Sequence, residues 1–114
     1  AHTVFVAEDE GRIVGTYYLR ANNRGGGDHV ANCGYMTAQN LFGRGVARAM
    51  CAHSLDEARA CGFTAMQFNF VIASNARAVK LWQACGFNIV GTLPAAYRHP
   101  KLGAVDAHVM LRNL

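Results

Sequence analysis

Phe42-Gly43-Arg44-Gly45-Val46-Ala47 stands between a strand-like run that ends near Thr37 and a helix-like run that begins at Val46. Glycines let a backbone come close to a ligand, and a helix start leaves several N–H groups without intrahelical partners. Phosphate oxygens can supply the missing acceptors, and the helix dipole favours their negative charge. The stretch therefore reads as a phosphate cradle, although by spacing alone a Gly-x-Gly before a helix is also an ordinary loop.

A second segment narrows the reading. Thirty residues beyond Gly45 comes Asn75-Ala76-Arg77-Ala78-Val79-Lys80-Leu81-Trp82-Gln83-Ala84-Cys85-Gly86-Phe87, a short helix with an Asn at its start and a Gly stop, followed at once by a strand over Phe87 to Leu93. Together the two segments resemble the GNAT superfamily of N-acetyltransferases. The pyrophosphate loop of that family follows Arg/Gln-x-x-Gly-x-Gly/Ala, and its later helix reads Asn-x-x-Ala-x-x-Leu-Tyr-x-x-x-Gly-Phe. The resemblance runs from about Val4 to the C-terminus and implies acetyl-coenzyme A as donor.

The rest of the composition sets the frame. A chain of 114 residues suits a single domain, 1–114, with a modest core. A hydrophobic content of 52% with 16% charged residues excludes a disordered chain. No run approaches the ~18 apolar residues of a membrane span, so no membrane partner is expected. The net charge of +4 comes from scattered Lys and Arg without an aromatic platform, which argues against nucleic acid and suits an anionic cofactor. Cys33, Cys51, Cys61 and Cys85 form no CxxC pair and read as reduced, buried cytosolic thiols. With His29, His53 and His108 they lack close ligand spacing, so no metal is expected. No signal peptide is visible, a cytoplasmic location follows, and Ala1-His2 without Met suggests a processed or tag-derived end.

Along the chain, Thr3 to Ala7 and Arg12 to Leu19 are β-rich runs about a hairpin at Glu8-Asp9-Glu10-Gly11. Asn22 to Asp28 is a glycine-rich, mobile loop, and Val30 to Thr37 a third strand. From Val46 the apolar residues Val46, Ala47, Met50, Cys51, Leu55 and Ala58 recur at helical intervals until Gly62. Ala65 to Val71 is a strand, Asn75 to Cys85 a helix, and Phe87 to Leu93 and Ala104 to Leu111 are strands. The order β-β-β-α-β-α-β-β is an α/β arrangement with a mixed sheet, parallel around its third and fourth strands. In the family those two strands splay apart around the pantetheine arm. The family also carries a strand and two helices ahead of the first hairpin, so the domain is expected to be N-terminally incomplete and part of the acceptor pocket out of sight.

Acetyl transfer needs a held donor, a neutral amine, donors for the developing oxyanion and a route for protonating the thiolate. The resemblance puts the pyrophosphate on Phe42, Gly43, Arg44, Gly45, Val46 and Ala47, with backbone N–H groups of Arg44 to Ala47 capping it. Phe42 stands where the family has Arg or Gln, so that side-chain contact is lost and its side chain reads rather as a hydrophobic lid over the helix start. Oxyanion donors of the family are backbone N–H groups of the third strand, here Met36 or its neighbours Tyr35 and Thr37; Met36 and Thr37 also belong to the donor-binding set. Many members place a Glu in Glu-x-Gly-Tyr, where this chain has Asn32-Cys33-Gly34-Tyr35. An amide accepts no proton at neutral pH, so Asn32 is expected to orient the attacking amine or a relaying water. Trp82 replaces the Tyr that usually meets the thiolate, and an indole does not ionise usefully. A thiol with an ordinary value of about 8.5 can leave as thiolate, which makes a dedicated acid helpful rather than obligatory. Tyr97 and Tyr35 are the candidates, and Trp82 reads as a packing wall beside the pantetheine.

Asn69 sits inside Met66-Gln67-Phe68-Asn69-Phe70, where a buried amide needs a partner. Asn75 serves either as an N-cap or as a donor or substrate contact. The set Asn32, Asn69 and Asn75, with Leu93-Pro94 after the fifth strand, resembles the branch of acetyltransferases acting on azetidine-2-carboxylate and proline analogues, and by that resemblance the three Asn residues line the acceptor site. The expected activity is acetyl transfer to a small-molecule amine, an amino or imino acid, by direct attack in a ternary complex. The rivals are acetylation of a protein N-terminus, peptide or antibiotic amine, and a non-catalytic acetyl-coenzyme A binding module. Homodimerisation stays an open option.

Overall fold

The computed structural model describes residues 2–38 and 45–114. Its elements are β1 (Thr3–Asp9), β2 (Arg12–Ala21), β3 (Val30–Thr37), α1 (Val46–Ala60), β4 (Ala65–Ile72), α2 (Ala76–Ala84), β5 (Asn88–His99) and β6 (Gly103–Asn113). They form a mixed six-stranded sheet in the order β1-β2-β3-β4-β6-β5, the expected order of strands and helices. The chain divides into one unit of Ala1–Met66 with Asn113–Leu114, and another of Gln67–Arg112.

In the first unit, β1 and β2 meet at a two-residue turn, Glu10-Gly11, with φ of 50° and 77°. Those signs suit the tight hairpin turn whose twist matches the flanking strands. Asp9 pairs with Arg12, and the ladder shifts between Ala7 and Glu8. The predicted glycine-rich loop holds a 3-10 turn at Gly25–Gly27. Helix α1 buries Met50, Cys51, Ser54, Leu55 and Ala58, a stripe at helical spacing. Gly15 lets the helix start come close: a Cβ there would lie 2.9 Å from Met50 Sδ and 3.1 Å from Val46 Cγ1.

Both helices end in the same four residues, Ala60-Cys61-Gly62-Phe63 and Ala84-Cys85-Gly86-Phe87. Phe63 N–H donates to Ala58 C=O and Gly62 N–H to Arg59 C=O; Phe87 N–H donates to Trp82 C=O and Gly86 N–H to Gln83 C=O, each at 3.0 Å. Gly62 and Gly86, with φ of 88° and 92°, take the left-handed step this stop requires. Cys33 and Cys51 are buried as expected, but Cys61 is exposed, because it sits past the last core-facing turn of α1.

In the second unit, Phe68 stacks on Phe87 at 4.1 Å and meets the Trp82 ring edge-on at 5.0 Å. Burial of Phe68, Val71, Phe87, Ala107 and Met110 makes its core. Strand β5 runs past the predicted end at Leu93 to His99, and a register shift between Leu93 and Tyr97 accommodates Pro94. Pro94 has no N–H for a ladder, and a bulge is one of the few places in a sheet that tolerates it.

Candidate active site

The start of α1, in the first unit, holds the described residues of the segment expected to form a phosphate cradle. Gly45 is the N-cap of α1 at φ 79°, with no side-chain cap, and its C=O accepts the Ala49 N–H at 3.0 Å. A Cβ on Gly45 would meet nothing within 4 Å. Among the described residues, the helix therefore begins with no side-chain cap on its first N–H groups, those of Val46 and Ala47 included, and with no atom within 4 Å of a Cβ on Gly45. This arrangement fits a pyrophosphate. Phe42, Gly43 and Arg44 lie outside the described residues.

Strand β3 leads toward that cradle. Its bonding to β2 is fixed at both ends: Asn22 N–H donates to Val30 C=O at 2.8 Å and Ala38 N–H to Val14 C=O at 2.9 Å. Bonded positions alternate in an antiparallel pair, so the even-numbered residues of β3 turn their backbone groups to β2, Met36 among them opposite Thr16. Tyr35 and Thr37 turn theirs to the other edge. Of the three backbone donors considered for an oxyanion, Met36 thus directs its N–H into the β2 ladder.

Side chains of β3 alternate between two faces. Toward α1, the Tyr35 hydroxyl meets Ser54 Oγ at 2.6 Å and Met66 Sδ at 3.7 Å, while Ser54 Oγ donates to Cys51 C=O at 2.7 Å. Burial pushes the Tyr35 phenol well above its ordinary range, and the neighbouring Cys33 adds to the shift. Tyr35 is therefore a neutral donor tied into the interior. Nearby, Tyr17 Oη lies 2.5 Å from His53 Nδ1, and His53 Nε2 lies 3.7 Å from Glu57 Oε1. With Phe5 stacked on Tyr17 at 4.9 Å, this group clamps α1 to the first two strands.

The face away from α1 carries Asn32, which is 3% exposed although polar. Its Oδ1 accepts the Tyr18 hydroxyl at 3.0 Å. Tyr18 can lie there because position 34 is glycine: a Cβ at Gly34 would fall 2.4 Å from Tyr18 Cε2. Tyr18 was invisible as a site residue in the sequence, where the only signal was an aromatic residue paired across from a strand glycine. A cavity of about 370 Å³ on this face is lined by Val4, Thr16, Tyr18, Gly34 and Met36 among others. Arg20 lies over the Tyr18 ring, 5.6 Å from its centroid.

The second unit holds Asn69, Asn75, Trp82 and Tyr97. Asn75 caps α2, its Oδ1 accepting the Ala78 N–H at 3.2 Å, so the capping role is realised. Asn69 is exposed rather than buried and accepts from Gln67 Nε2 at 3.0 Å; the two stand on the strand face opposite Phe68. Trp82 packs half-buried on Phe68, the packing role expected of it. Tyr97 is half-buried, its ring 6.3 Å from that of Phe70. Among the described residues no group of three or more His, Cys, Asp or Glu could hold a metal, and no helix is long and apolar enough to cross a membrane.

A model of the acetyltransferase (GNAT) family matches residues 1–87. The chain belongs to this family. N-acetyltransferase aca1 of Schizosaccharomyces pombe is 29% identical over 98 residues, covering 85% of this chain and 47% of that protein. The chain thus spans about half the length of this curated relative. Among solved structures, a GCN5-related N-acetyltransferase from Kribbella flavida is 45% identical with a TM-score of 0.97, over 99% of this chain and 68% of that one. The yncA protein of Salmonella typhimurium, solved with its cofactor acetyl-CoA, is similar at 23% identity and a TM-score of 0.86, over 99% of this chain and 65% of that one. That last likeness is one of fold. The GNAT assignment agrees with the two sequence segments that suggested it.

Proposed function

We propose that this GNAT chain, acting as one domain, transfers an acetyl group from acetyl-coenzyme A to the amine of a small amino or imino acid by direct attack in a ternary complex. The observation that carries the reading is the start of α1, where Gly45 at φ 79° leaves open space beside unserved N–H groups. Bound there, acetyl-coenzyme A supplies an activated acyl thioester. Gly45, Val46 and Ala47 would hold its pyrophosphate, together with Phe42, Gly43 and Arg44 of the same sequence motif. The oxyanion falls to a backbone N–H at the end of the third strand, Thr37 first, because that of Met36 is directed into the β2 ladder; Met36 adds its side chain, 71% exposed, to the wall of the acceptor cavity.

Asn32 orients the amine, and Tyr18 fixes which way the amide points. Its burial supports a role in positioning, since an amide oxygen bonds an N–H without taking the proton. The proton leaves to water. By the resemblance to the proline-analogue branch, Asn69 and Asn75 belong to the acceptor set with Asn32, and Tyr97 is the remaining phenol for the departing thiolate. Support for azetidine-2-carboxylate or a proline analogue as acceptor comes from the Asn32, Asn69 and Asn75 motifs and Leu93-Pro94.

The test is thiol release from acetyl-coenzyme A across a panel of free amino acids, imino acids, peptides and aminoglycosides. Turnover highest with free amino or imino acids supports the proposal. Preference for peptides or aminoglycosides moves the acceptor to those classes, and donor binding without turnover on any amine identifies a binding module.

A further inference from the structure

Strand β5 is interrupted at the point where it passes Asp106. Leu93 pairs with Ala107 and Tyr97 with Val105, so Pro94, Ala95 and Ala96 on β5 stand against Asp106 alone on β6. Ala95 takes φ 50°, a left-handed conformation that a residue with a Cβ adopts only when its surroundings impose it. Something must hold it, and the contact is explicit. The Ala95 N–H donates to Asp106 Oδ1 at 2.9 Å. The backbone C=O of the same Asp106 accepts the Ala73 N–H at 2.9 Å, in the turn that follows β4 and leads to Asn75. Two residues beyond Ala95 the chain delivers Tyr97, whose ring meets that of Phe70.

Asp106 therefore ties together three things with one residue: the bulge, the turn before Asn75, and the register that sets where Tyr97 stands. We propose that Asp106 is a positioning residue for the acceptor, latching the Pro94–Ala96 bulge so that Tyr97 and Asn75 keep a fixed spacing. This rests on the acetyl-transfer reading above. The carboxylate acts through its Oδ1 acceptor, and its charge is not required. An amide at the same position can replace it, whereas a methyl group cannot. Because the donor is held at α1, loss of the latch raises the KM of the acceptor and leaves that of acetyl-coenzyme A in place.

The experiment compares Asp106→Asn, Asp106→Ala and Ala95→Gly with the unsubstituted chain, using the best acceptor from the amine panel. Asp106→Ala should raise the acceptor KM up to about tenfold, the expected effect of losing one hydrogen bond at the upper end of its usual worth, with the KM for acetyl-coenzyme A unchanged. Asp106→Asn should stay close to the unsubstituted chain. Ala95→Gly removes the need for a strained residue without touching the acceptor atom, and should fold at least as stably. Amide hydrogen exchange gives a readout independent of activity: the Ala95 N–H should be protected in the unsubstituted chain and in Asp106→Asn, and unprotected in Asp106→Ala.

A folded Asp106→Ala protein with an unchanged acceptor KM overturns the proposal, as does an Asp106→Asn protein as impaired as Asp106→Ala. Equal loss of acceptor and donor KM also overturns it, by showing a general structural role. If the unsubstituted chain turns over no amine, it is the acetyl-transfer reading that fails; the Ala95 exchange pattern then still decides whether the latch exists.

Discussion

The Tyr18 hydroxyl reaches Asn32 across the β2–β3 ladder only because Gly34 has no side chain. The 3.0 Å hydrogen bond and the 2.4 Å clash that any Cβ at position 34 would make with the Tyr18 ring are two sides of one constraint. In this chain the glycine two positions after the polar strand residue thereby has a physical reason: it makes room for the group that orients the polar one.

Gly34→Ala should accordingly push the Tyr18 ring off Asn32. Acetyl transfer should fall at least tenfold in kcat/KM, while acetyl-coenzyme A affinity measured by calorimetry stays as it was. Tyr18→Phe removes only the hydroxyl, and a single neutral hydrogen bond is worth about 1 kcal/mol, so its loss should be severalfold. Equal kcat/KM in Gly34→Ala and the unsubstituted chain would refute the coupling.

Asn32→Ala is expected to lower kcat far more than it weakens donor binding. Asn32→Asp is the sharper probe, because a carboxylate there would act as a base and bring in a pH dependence from its own ionisation. Steady-state rates at saturating acetyl-coenzyme A from pH 6 to 9 decide it: rates of both variants matching the unsubstituted chain would make Asn32 purely structural.

At the helix start, Gly45→Val should abolish acetyl-coenzyme A binding. The position is left-handed and, among the described residues, no atom lies within 4 Å of its Cβ, so the added side chain is expected to take up ligand space; backbone strain adds a loss of stability. Calorimetry on a folded variant is the check, and unchanged affinity would remove the cradle.

Trp82→Phe should keep most activity, since the ring's contact is edge-on packing with Phe68. Trp82→Ala should lose about 3 kcal/mol of stability, the lower end for deleting a large aromatic side chain, because Trp82 is only half-buried. Urea denaturation gives the stability and the thiol-release assay gives the rate; a stable Trp82→Phe protein with a large rate loss would give the indole N–H a chemical role.

Burial pushes the Cys33 thiol up to about 11, against the lowering effect of hydrogen bonds from Tyr35 and Ser54. Between its ordinary value near 9 and that higher one, the unfolded chain sheds the proton while the folded chain keeps it. Stability should therefore fall as pH rises through this window, and the Tyr17 and Tyr35 phenols, raised in the same direction, carry the trend further. Thermal unfolding from pH 8 to 10.5 should show a descending Tm, and a flat profile would contradict it. At pH 8 the exposed Cys61 should alkylate well before Cys33.

How much of this could be read from the residues depends on how local each signal is. The Gly62 and Gly86 stops, the Glu10-Gly11 turn and the amphipathic stripe of α1 are written within a few residues, and each was legible. Strand β5 was read short at Pro94 because the residue that makes a bulge tolerable there, Asp106, lies on the next strand. Asn69 looked buried among aromatic residues, yet strand alternation puts it on the opposite face from Phe68. Tyr18 and the Tyr17–His53 contact depend on pairings across 14 and 36 residues, for which no local pattern exists. The direction of the Met36 N–H likewise needed the β2–β3 register.

The shared Ala-Cys-Gly-Phe ending has a consequence for how the helices can change over time. Each stop is encoded beside itself, so it travels with the chain when residues are gained or lost upstream. One residue inserted in α2 would leave Gly86 ending the helix and Phe87 leading into β5 at Asn88, yet rotate everything before the insertion by about 100°. Asn75 would still cap, but the side chains upstream would face new neighbours. Helix length and helix face are thus separately adjustable here, and lineages of this fold can vary the surface α2 presents without disturbing where β5 begins.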